Sequence, residues 1–158
     1  MTRAGECPRE HHLVVLRFGR LGDLVMTLPA LRWALGTPGL RVTLVTDSHY
    51  RPLFEQGFEG LEVTTTVPRC DLVLDLHRVA RSRRARRGHS WLGVAKEDVR
   101  RRLQVLGPSF GASFGPKKTW PERHLDAMER ALVRLGLHEH AGAPPSARPS
   151  PPPSPPGC

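Results

Sequence analysis

The residues best suited to chemistry lie in a short loop, GRLGD (19–23), that follows an apolar run. Glycines allow a tight turn from strand to helix and let a ligand approach the backbone, and a helix N-terminus favours an anion. At this position Asp23 is expected to be an N-cap, whose side chain accepts a hydrogen bond from a helix N–H. The loop carries neither G-x-G-x-x-G nor Lys-Ser/Thr, so dinucleotide and P-loop sites are not indicated.

Arginines surround this loop in the sequence. Arg17 and Arg20 flank it, and Arg78 and Arg81 follow a later apolar run. Guanidinium groups bind carboxylates and phosphates through paired hydrogen bonds, although each of these arginines could equally be an ordinary surface residue.

Three other polar positions receive structural interpretations. Asp75 ends an apolar run, and we expect it to orient the loop that follows. His77 is more typical of a packed or loop histidine than of a catalyst. His11 and His12 are expected to belong to a leader that precedes the first strand.

Strands and helices alternate along the chain and must position these residues. Apolar, β-branched runs predict strands over 13–18, 41–46, 61–67 and 70–76. Helical spacing predicts helices over 24–35, in a segment ending at Gly57, over 96–106 and from Thr119 to Gly136, with a glycine-rich loop over 109–118. Pro29 either kinks the first helix or begins a second one.

This order predicts an α/β fold, a Rossmann-like doubly wound parallel sheet. Ligands of such sheets bind at the carboxyl ends of the strands, which directs attention to the loops 19–23, 46–49 and 75–81. The 158 residues suffice for one domain, expected over 11–137 after a leader of residues 1–10. Residues 138–158 hold half of the chain's prolines and are expected to form a disordered tail.

The three cysteines, Cys7, Cys70 and Cys158, are too far apart in sequence for a disulfide framework or a CxxC metal pair. No apolar run is long enough to cross a membrane, and the N-terminus does not resemble a signal peptide. A reduced, cytoplasmic protein is therefore expected.

The net charge of +9 is concentrated in one segment. The segment from Arg78 to Arg102 contains ten Arg or Lys residues and only two acidic residues, Glu97 and Asp98. This run is typical of a solvated helix face, or of a basic binding module that holds nucleic acid or an anionic membrane surface. Trp91 is the only aromatic residue within it, which weakens the single-stranded nucleic-acid alternative because bases stack on aromatic rings. A complete nucleotide-binding Rossmann enzyme is a third alternative, disfavoured by the missing phosphate fingerprint.

The string LRFGRLGDLVMTLPALRWAL (16–35) resembles the opening of the family 9 glycosyltransferases, the ADP-heptose:lipopolysaccharide heptosyltransferases, with R-x-G-D-x-x-x-T-x-P-A-L at the same spacing. The resemblance continues through RVTLVTD (41–47) and DLVLDLHRVARS (71–82) and extends to RALVRLGL (130–137). KKTWPERH (117–124) also resembles a segment of the donor domain in some relatives; the simpler interpretation is that it opens the last helix of the same domain.

The resemblance implies the N-terminal, acceptor-side half of a two-domain GT-B enzyme. Such an enzyme transfers heptose with inversion and without a metal or cofactor, from ADP-heptose or another nucleotide sugar, to an anionic glycolipid of the lipopolysaccharide core. It assigns the general base to Asp23 and acceptor binding to Arg17, Gly19, Arg20, Gly22, Arg78 and Arg81. A chain without the donor domain is expected to be inactive alone. A peripheral contact with the inner membrane surface is expected, and nucleic acid is not.

Overall fold

The computed structural model describes residues 10–94 and 119–145. In these residues five strands, β1 to β5, span His11–Leu16, Leu40–Val45, Leu61–Thr64, Leu72–Asp75 and Trp91–Gly93. Five α-helices, α1 to α5, span Leu21–Val25, Leu28–Leu35, Arg51–Gly57, Ala80–Ala85 and Trp120–Arg134. Short 3₁₀ helices cover Ser48–Tyr50 and His138–His140. The predicted helix over 96–106 and loop over 109–118 lie outside the described residues.

The strands form one parallel sheet in the order β3-β2-β1-β4-β5. From β1 the chain adds β2 and β3 on one side, and then β4 and β5 on the other side. Because the crossovers between parallel strands are right-handed, this change of direction places helices on both faces of the sheet. The predicted α/β, Rossmann-like doubly wound fold is confirmed.

Alternate residues of β1 supply two separate cores, as expected for a strand buried on both faces. Leu13 and Val15 point into the larger core, which includes Leu31 of α2 and Met128 of α5. Val14 lies on the opposite face with the smaller core, against which Ala85 of α4 packs. The central strand is thus fully enclosed, and its carboxyl end is held rigidly between its neighbours.

The first strand begins two residues earlier than predicted, so the assignment of His11 and His12 to a leader is wrong. His12 pairs through Nδ1 with the Arg69 carbonyl oxygen at 2.9 Å and through Nε2 with Thr43 Oγ1 at 2.8 Å. Both ring nitrogens of His12 therefore have hydrogen-bond partners, so this strand can accommodate a histidine without an unpaired polar group. The strand correspondingly ends at Leu16, so Arg17 and Phe18 belong to the loop that follows.

Two helices divide the segment around Pro29, as one of the two sequence interpretations predicts. Helix α1 ends at Val25, and α2 starts at Leu28 with Pro29 in its first turn, where proline's missing N–H costs no helix bond. Helix α5 opens at Trp120, and the Thr119 amide donates to the Glu122 carboxylate at 2.6 Å in the predicted capping box. Residues 120–124 therefore belong to this domain's last helix.

Ala141 is packed on the domain, although the sequence places the start of the tail at 138. Ala141 is 8% exposed, and its carbonyl oxygen accepts a hydrogen bond from the Trp33 indole at 2.8 Å. The packed chain thus continues past Leu137.

Candidate functional site

Three loops meet at the carboxyl edge of the sheet, because β1 lies between β2 and β4 in matching register. Leu16 is paired with Val45 on one side and with Asp75 on the other. The chain leaves these strands through residues 17–23, 46–50 and 76–81, so the three loops that the sequence singles out are neighbours in space.

Asp23 lies at the third position of α1, since Arg20 is the N-cap. The interpretation of Asp23 as an N-cap is therefore wrong. Asp23 Oδ1 is instead 3.3 Å from Nη2 of Arg17, and the Asp23 side chain is 37% exposed whereas that of Arg17 is 6% exposed. The Asp23 carboxylate is therefore accessible to solvent at the carboxyl edge of the sheet, and the buried Arg17 guanidinium fixes its position.

The Arg17 side chain lies in the protein interior. Its Nη1 donates to the Leu76 carbonyl oxygen at 2.6 Å, which ties the loop after β1 to the loop after β4. Burial lowers the pKa of Arg17, and the neighbouring Asp23 partly opposes that shift. Arg17 therefore orients Asp23, and its guanidinium does not face solvent as a free anion-binding group would.

The backbone of Gly19 lies close to the side chains of Asp23 and His77. Its φ of +114° is a conformation that residues with a side chain rarely adopt. A Cβ at Gly19 would lie 3.4 Å from Asp23 Oδ2 and 3.5 Å from His77 Cε1. The missing side chain leaves a small space between the Asp23 carboxylate and the edge of the His77 ring, which we call the Gly19 notch.

Asp47 joins the loop after β2 to the same site, although sequence reasoning named only its loop. Its Oδ2 accepts the Gly19 amide at 3.3 Å, and its Oδ1 pairs with Nη1 of Arg81. Desolvation raises the pKa of Asp47, but the hydrogen bonds from Arg81 and Gly19 outweigh it, so that pKa lies below its usual value. The Arg81 guanidinium also stacks over the Phe18 ring, 4.3 Å from its centroid.

Asp75 is fully buried and organises the turn from β4 into α4, as the sequence predicts. Its Oδ1 accepts the amides of His77 and Arg78 at 3.0 and 2.7 Å, and its Oδ2 accepts the Ser82 hydroxyl at 2.9 Å. Arg86 adds an ion pair at 3.5 Å. These contacts fix the backbone position of His77.

His77 lies across the Gly19 notch from Asp23. Burial and the nearby Arg17 charge lower the pKa of His77, so the ring is neutral at pH 7. Its Nδ1 is buried without a hydrogen-bond partner. Sequence reasoning treated His77 as a packed or loop residue, and its proximity to Asp23 depends on the backbone turn at Asp75, which composition does not reveal.

The remaining candidate residues are spread more widely. Arg20 is exposed, and Gly22 has open space at its Cα. Arg78 has a positive φ of 52°, and its Nη1 donates to the Val94 carbonyl oxygen at 2.8 Å. The structure thus brings Arg17, Gly19, Asp23 and Arg81 together, whereas the Arg78 guanidinium is anchored to the backbone after β5.

Unpartnered polar atoms gather at this edge. Within the described residues, the buried side-chain nitrogen and oxygen atoms without a partner include Arg17 Nε, Thr46 Oγ1, His77 Nδ1 and His124 Nε2. Arg17, Thr46 and His77 follow the carboxyl ends of three adjacent strands, and His124 bonds the Met26 carbonyl oxygen between α1 and α2 at 3.1 Å. Buried polar groups are normally paired, so these atoms can accept or donate further hydrogen bonds at this edge.

In residues 10–94 and 119–145, no group of three or more His, Cys, Asp or Glu side chains is arranged to hold a metal ion. No helix in the same ranges has the length and apolar character needed to cross a membrane.

The chain was also compared with known proteins. No family model matches it, and no curated protein matches it. Among solved structures it is similar to the spinosyn rhamnosyltransferase SpnG, at 14% identity and a TM-score of 0.39, covering 84% of this chain and 46% of that one. The same enzyme complexed with thymidine diphosphate gives the same identity and TM-score over 82% of this chain. The chain spans about half the length of these structures.

Proposed function

We propose that this domain is the acceptor-side half of a GT-B glycosyltransferase, with Asp23 as the general base. The half-exposed Asp23 carboxylate, fixed by buried Arg17 at the carboxyl edge of the sheet, carries this proposal. The motif over residues 16–35 supports it, because the resemblance assigns the base to this aspartate.

In the proposed reaction, an acceptor hydroxyl gives its proton to Asp23 while its oxygen attacks the anomeric carbon of the donor sugar. The bond to the nucleotide diphosphate breaks as the new glycosidic bond forms, which inverts the anomeric centre. The resemblance favours ADP-heptose as donor and an anionic lipopolysaccharide-core glycan as acceptor. A donor-binding domain must close over this edge for transfer, and no cofactor is required.

Arg81 and Arg20 are the arginines best placed for an anionic acceptor. Arg81 lies beside Gly19 through their shared partner Asp47, and its side chain is 58% exposed. Arg20 is exposed at the start of α1. Arg17 and Arg78 would act by holding the loops, since their guanidinium groups donate to the carbonyl oxygens of Leu76 and Val94.

Replacing Asp23 with Asn tests the proposal in a two-domain protein in which this chain is joined to a donor-binding domain. The substitution removes the base but keeps the size, so the rate of transfer should fall by roughly two to four orders of magnitude while donor affinity stays unchanged. Loss of the charge opposite Arg17 should lower the free energy of unfolding by about 1 to 2 kcal/mol. Transfer is measured well below the melting temperature so that unfolding does not contribute.

Glu139→Gln is the matched control, because Glu139 is an exposed carboxylate in a 3₁₀ turn after α5. It should retain normal transfer. If Asp23→Asn also retains most of its activity, Asp23 only pairs with Arg17 and the catalytic assignment is wrong.

A basic binding surface is the second candidate function. Helix α4 and the residue after its C-cap expose Arg83, Arg84 and Arg87, and no acidic side chain of the described ranges forms an ion pair with them. Exposed arginines without acidic partners attract anionic surfaces. In the proposed enzyme this surface would hold the domain against the membrane that carries its glycolipid acceptor; the alternative is a module that binds nucleic acid.

A further inference from the structure

We propose that the Gly19 notch binds a single hydroxyl group of the substrate, with Asp23 accepting its hydrogen bond and His77 donating one to its oxygen. This inference rests on the proposed function, which assigns a role to Asp23 and none to His77. It makes His77 a substrate-contacting residue.

The first support is geometric. Asp23 Oδ2 lies 3.4 Å, and His77 Cε1 and Nε2 lie 3.5 and 3.7 Å, from the point that a Cβ on Gly19 would occupy. A hydroxyl oxygen cannot occupy that point, which is one bond length from Cα. It can lie just beyond it, over the bare Cα of Gly19, where Asp23 Oδ2 and His77 Nε2 are its polar neighbours. Any residue other than glycine would fill this space and would be strained at a φ of +114°.

The second support is the hydrogen-bonding state of the imidazole. A neutral imidazole carries one N–H and one bare nitrogen. Nδ1 of His77 is buried without a partner, and a buried N–H without an acceptor is rarer than an unfilled acceptor. We therefore place the proton on Nε2, the nitrogen at the notch, where it acts as a donor.

The third support is rigidity. The His77 amide is fixed by Asp75 at 3.0 Å, the neighbouring Leu76 carbonyl oxygen by Arg17 at 2.6 Å, and the Gly19 amide by Asp47 at 3.3 Å. Each partner is a charged group, and hydrogen bonds to charged groups are the stronger ones. The backbone at Gly19 and at His77 is thus held before a ligand arrives, which lowers the entropy cost of binding.

The test measures binding of a soluble oligosaccharide of the anionic lipopolysaccharide core, the acceptor class proposed above, to the full chain by NMR. The Gly19 amide and the His77 Cε1–H signals should shift together along one saturation curve. His77→Gln should bind within about twofold of the wild type, since the glutamine amide places a donor near the position of Nε2. His77→Phe keeps a ring but no donor, and its affinity should fall roughly fivefold.

His140→Gln serves as the control, because His140 is exposed in the turn that follows α5. It should leave binding unchanged, and melting temperatures establish that each variant is folded. Wild-type affinity in His77→Phe, or a shift of Gly19 without His77, overturns this inference while the proposed function stands if Asp23→Asn abolishes transfer. Absence of any saturable shift at Gly19 and His77 overturns the notch and also counts against the acceptor site.

Discussion

At the scale of single residues, His124 is a fully buried titratable group near the site. Its side chain is fully buried on α5, where Nδ1 bonds the Met26 carbonyl oxygen at 3.1 Å and Nε2 has no partner. Burial is the main cause that lowers the pKa of His124, to about 4, and the hydrogen bond to Met26 only partly opposes it. The folded protein therefore holds this imidazole in its neutral form.

Acidification should destabilise the protein through His124. The folded-state pKa of about 4 lies below the ordinary value of 6.5, so the unfolded chain binds the proton more tightly. The resulting stability is complete above pH 6.5 and is lost as the pH falls toward 4, by up to about 3 kcal/mol. Denaturant unfolding at intervals between pH 7 and pH 4.5 measures the loss.

Comparison with His124→Gln isolates this group from the other titrating side chains. The variant is less stable than the wild type at pH 7 because it loses packing, but its unfolding free energy should fall less between pH 6.5 and pH 4.5. Parallel pH profiles for the two proteins would show that His124 is protonated as readily in the folded state as in the unfolded one.

Site residues were predictable where the local sequence determines them. Gly19, Gly22 and Asp23 are recognisable because a strand-to-helix loop restricts residue type within a few positions. Asp47 and His77 were not among the candidates, since their proximity to Gly19 joins positions 28 and 58 residues apart in sequence. Arg17 was assigned to the acceptor because the sequence cannot show that its guanidinium turns inward to Leu76.

At the scale of elements, strands β1 to β4 were predictable and the edge strand β5 was not. Leu13–Leu16 and Leu72–Leu74 form continuous apolar runs because helices cover both sides of the sheet. Strand β5 has only three residues, Trp91–Gly93, inside the arginine-rich segment, so its sequence carries no strand periodicity. It is positioned instead by pairing with β4 and by the stacking of Arg86 on Trp91, with the guanidinium carbon 3.2 Å from a ring centroid.

The arginines in and just after helix α4 differ in exposure and in their contacts. Arg86, just after the helix, is directed inward to Asp75 and Trp91, and Ser82 is buried against Asp75. Arg83, Arg84 and Arg87 remain exposed. The interpretation of the charge run as a solvated helix face therefore describes only part of this segment, since Arg86 stabilises the turn that carries His77.

The exposed arginines of α4 should bind anionic vesicles. Each basic residue near an anionic surface contributes roughly 1 kcal/mol, so replacing Arg83, Arg84 and Arg87 together with Gln should weaken binding at least tenfold. Cosedimentation with phosphatidylglycerol-containing vesicles measures this, and vesicles of phosphatidylcholine alone should bind neither protein. Arg32, Arg69 and Arg134 are exposed elsewhere, and replacing these three instead is the control with the same net charge.

Equal losses in the two triple variants would mean that net charge, and not the α4 surface, controls binding. Capture of single-stranded RNA in preference to vesicles, lost only in the α4 variant, would favour the nucleic-acid alternative over the membrane contact.

At the scale of the whole molecule, the chain after α5 packs against α2 and completes the larger core. Gly136, at a φ of +73°, reverses the chain, and the Leu137 amide donates to the Leu132 carbonyl oxygen at 2.9 Å. Leu137 and Ala141 are then buried, and Ala141 accepts the indole hydrogen bond of Trp33 on α2. This segment joins α5 to α2, the two helices that cover the same face of the sheet.

Two shortened chains should separate this packing from the rest of the C-terminus. A chain that ends at Gly136 loses the burial of Leu137 and leaves the Trp33 indole without its acceptor, which should lower the free energy of unfolding by about 3 kcal/mol. The melting temperature should fall by roughly 10 °C. A chain that ends at Pro145 keeps these contacts and should melt within about 2 °C of the full chain, because the composition of residues 146–158 predicts little burial of apolar surface. Thermal unfolding followed by circular dichroism measures both, and similar melting temperatures for the two shortened chains would show that residues 137–141 do not stabilise the domain.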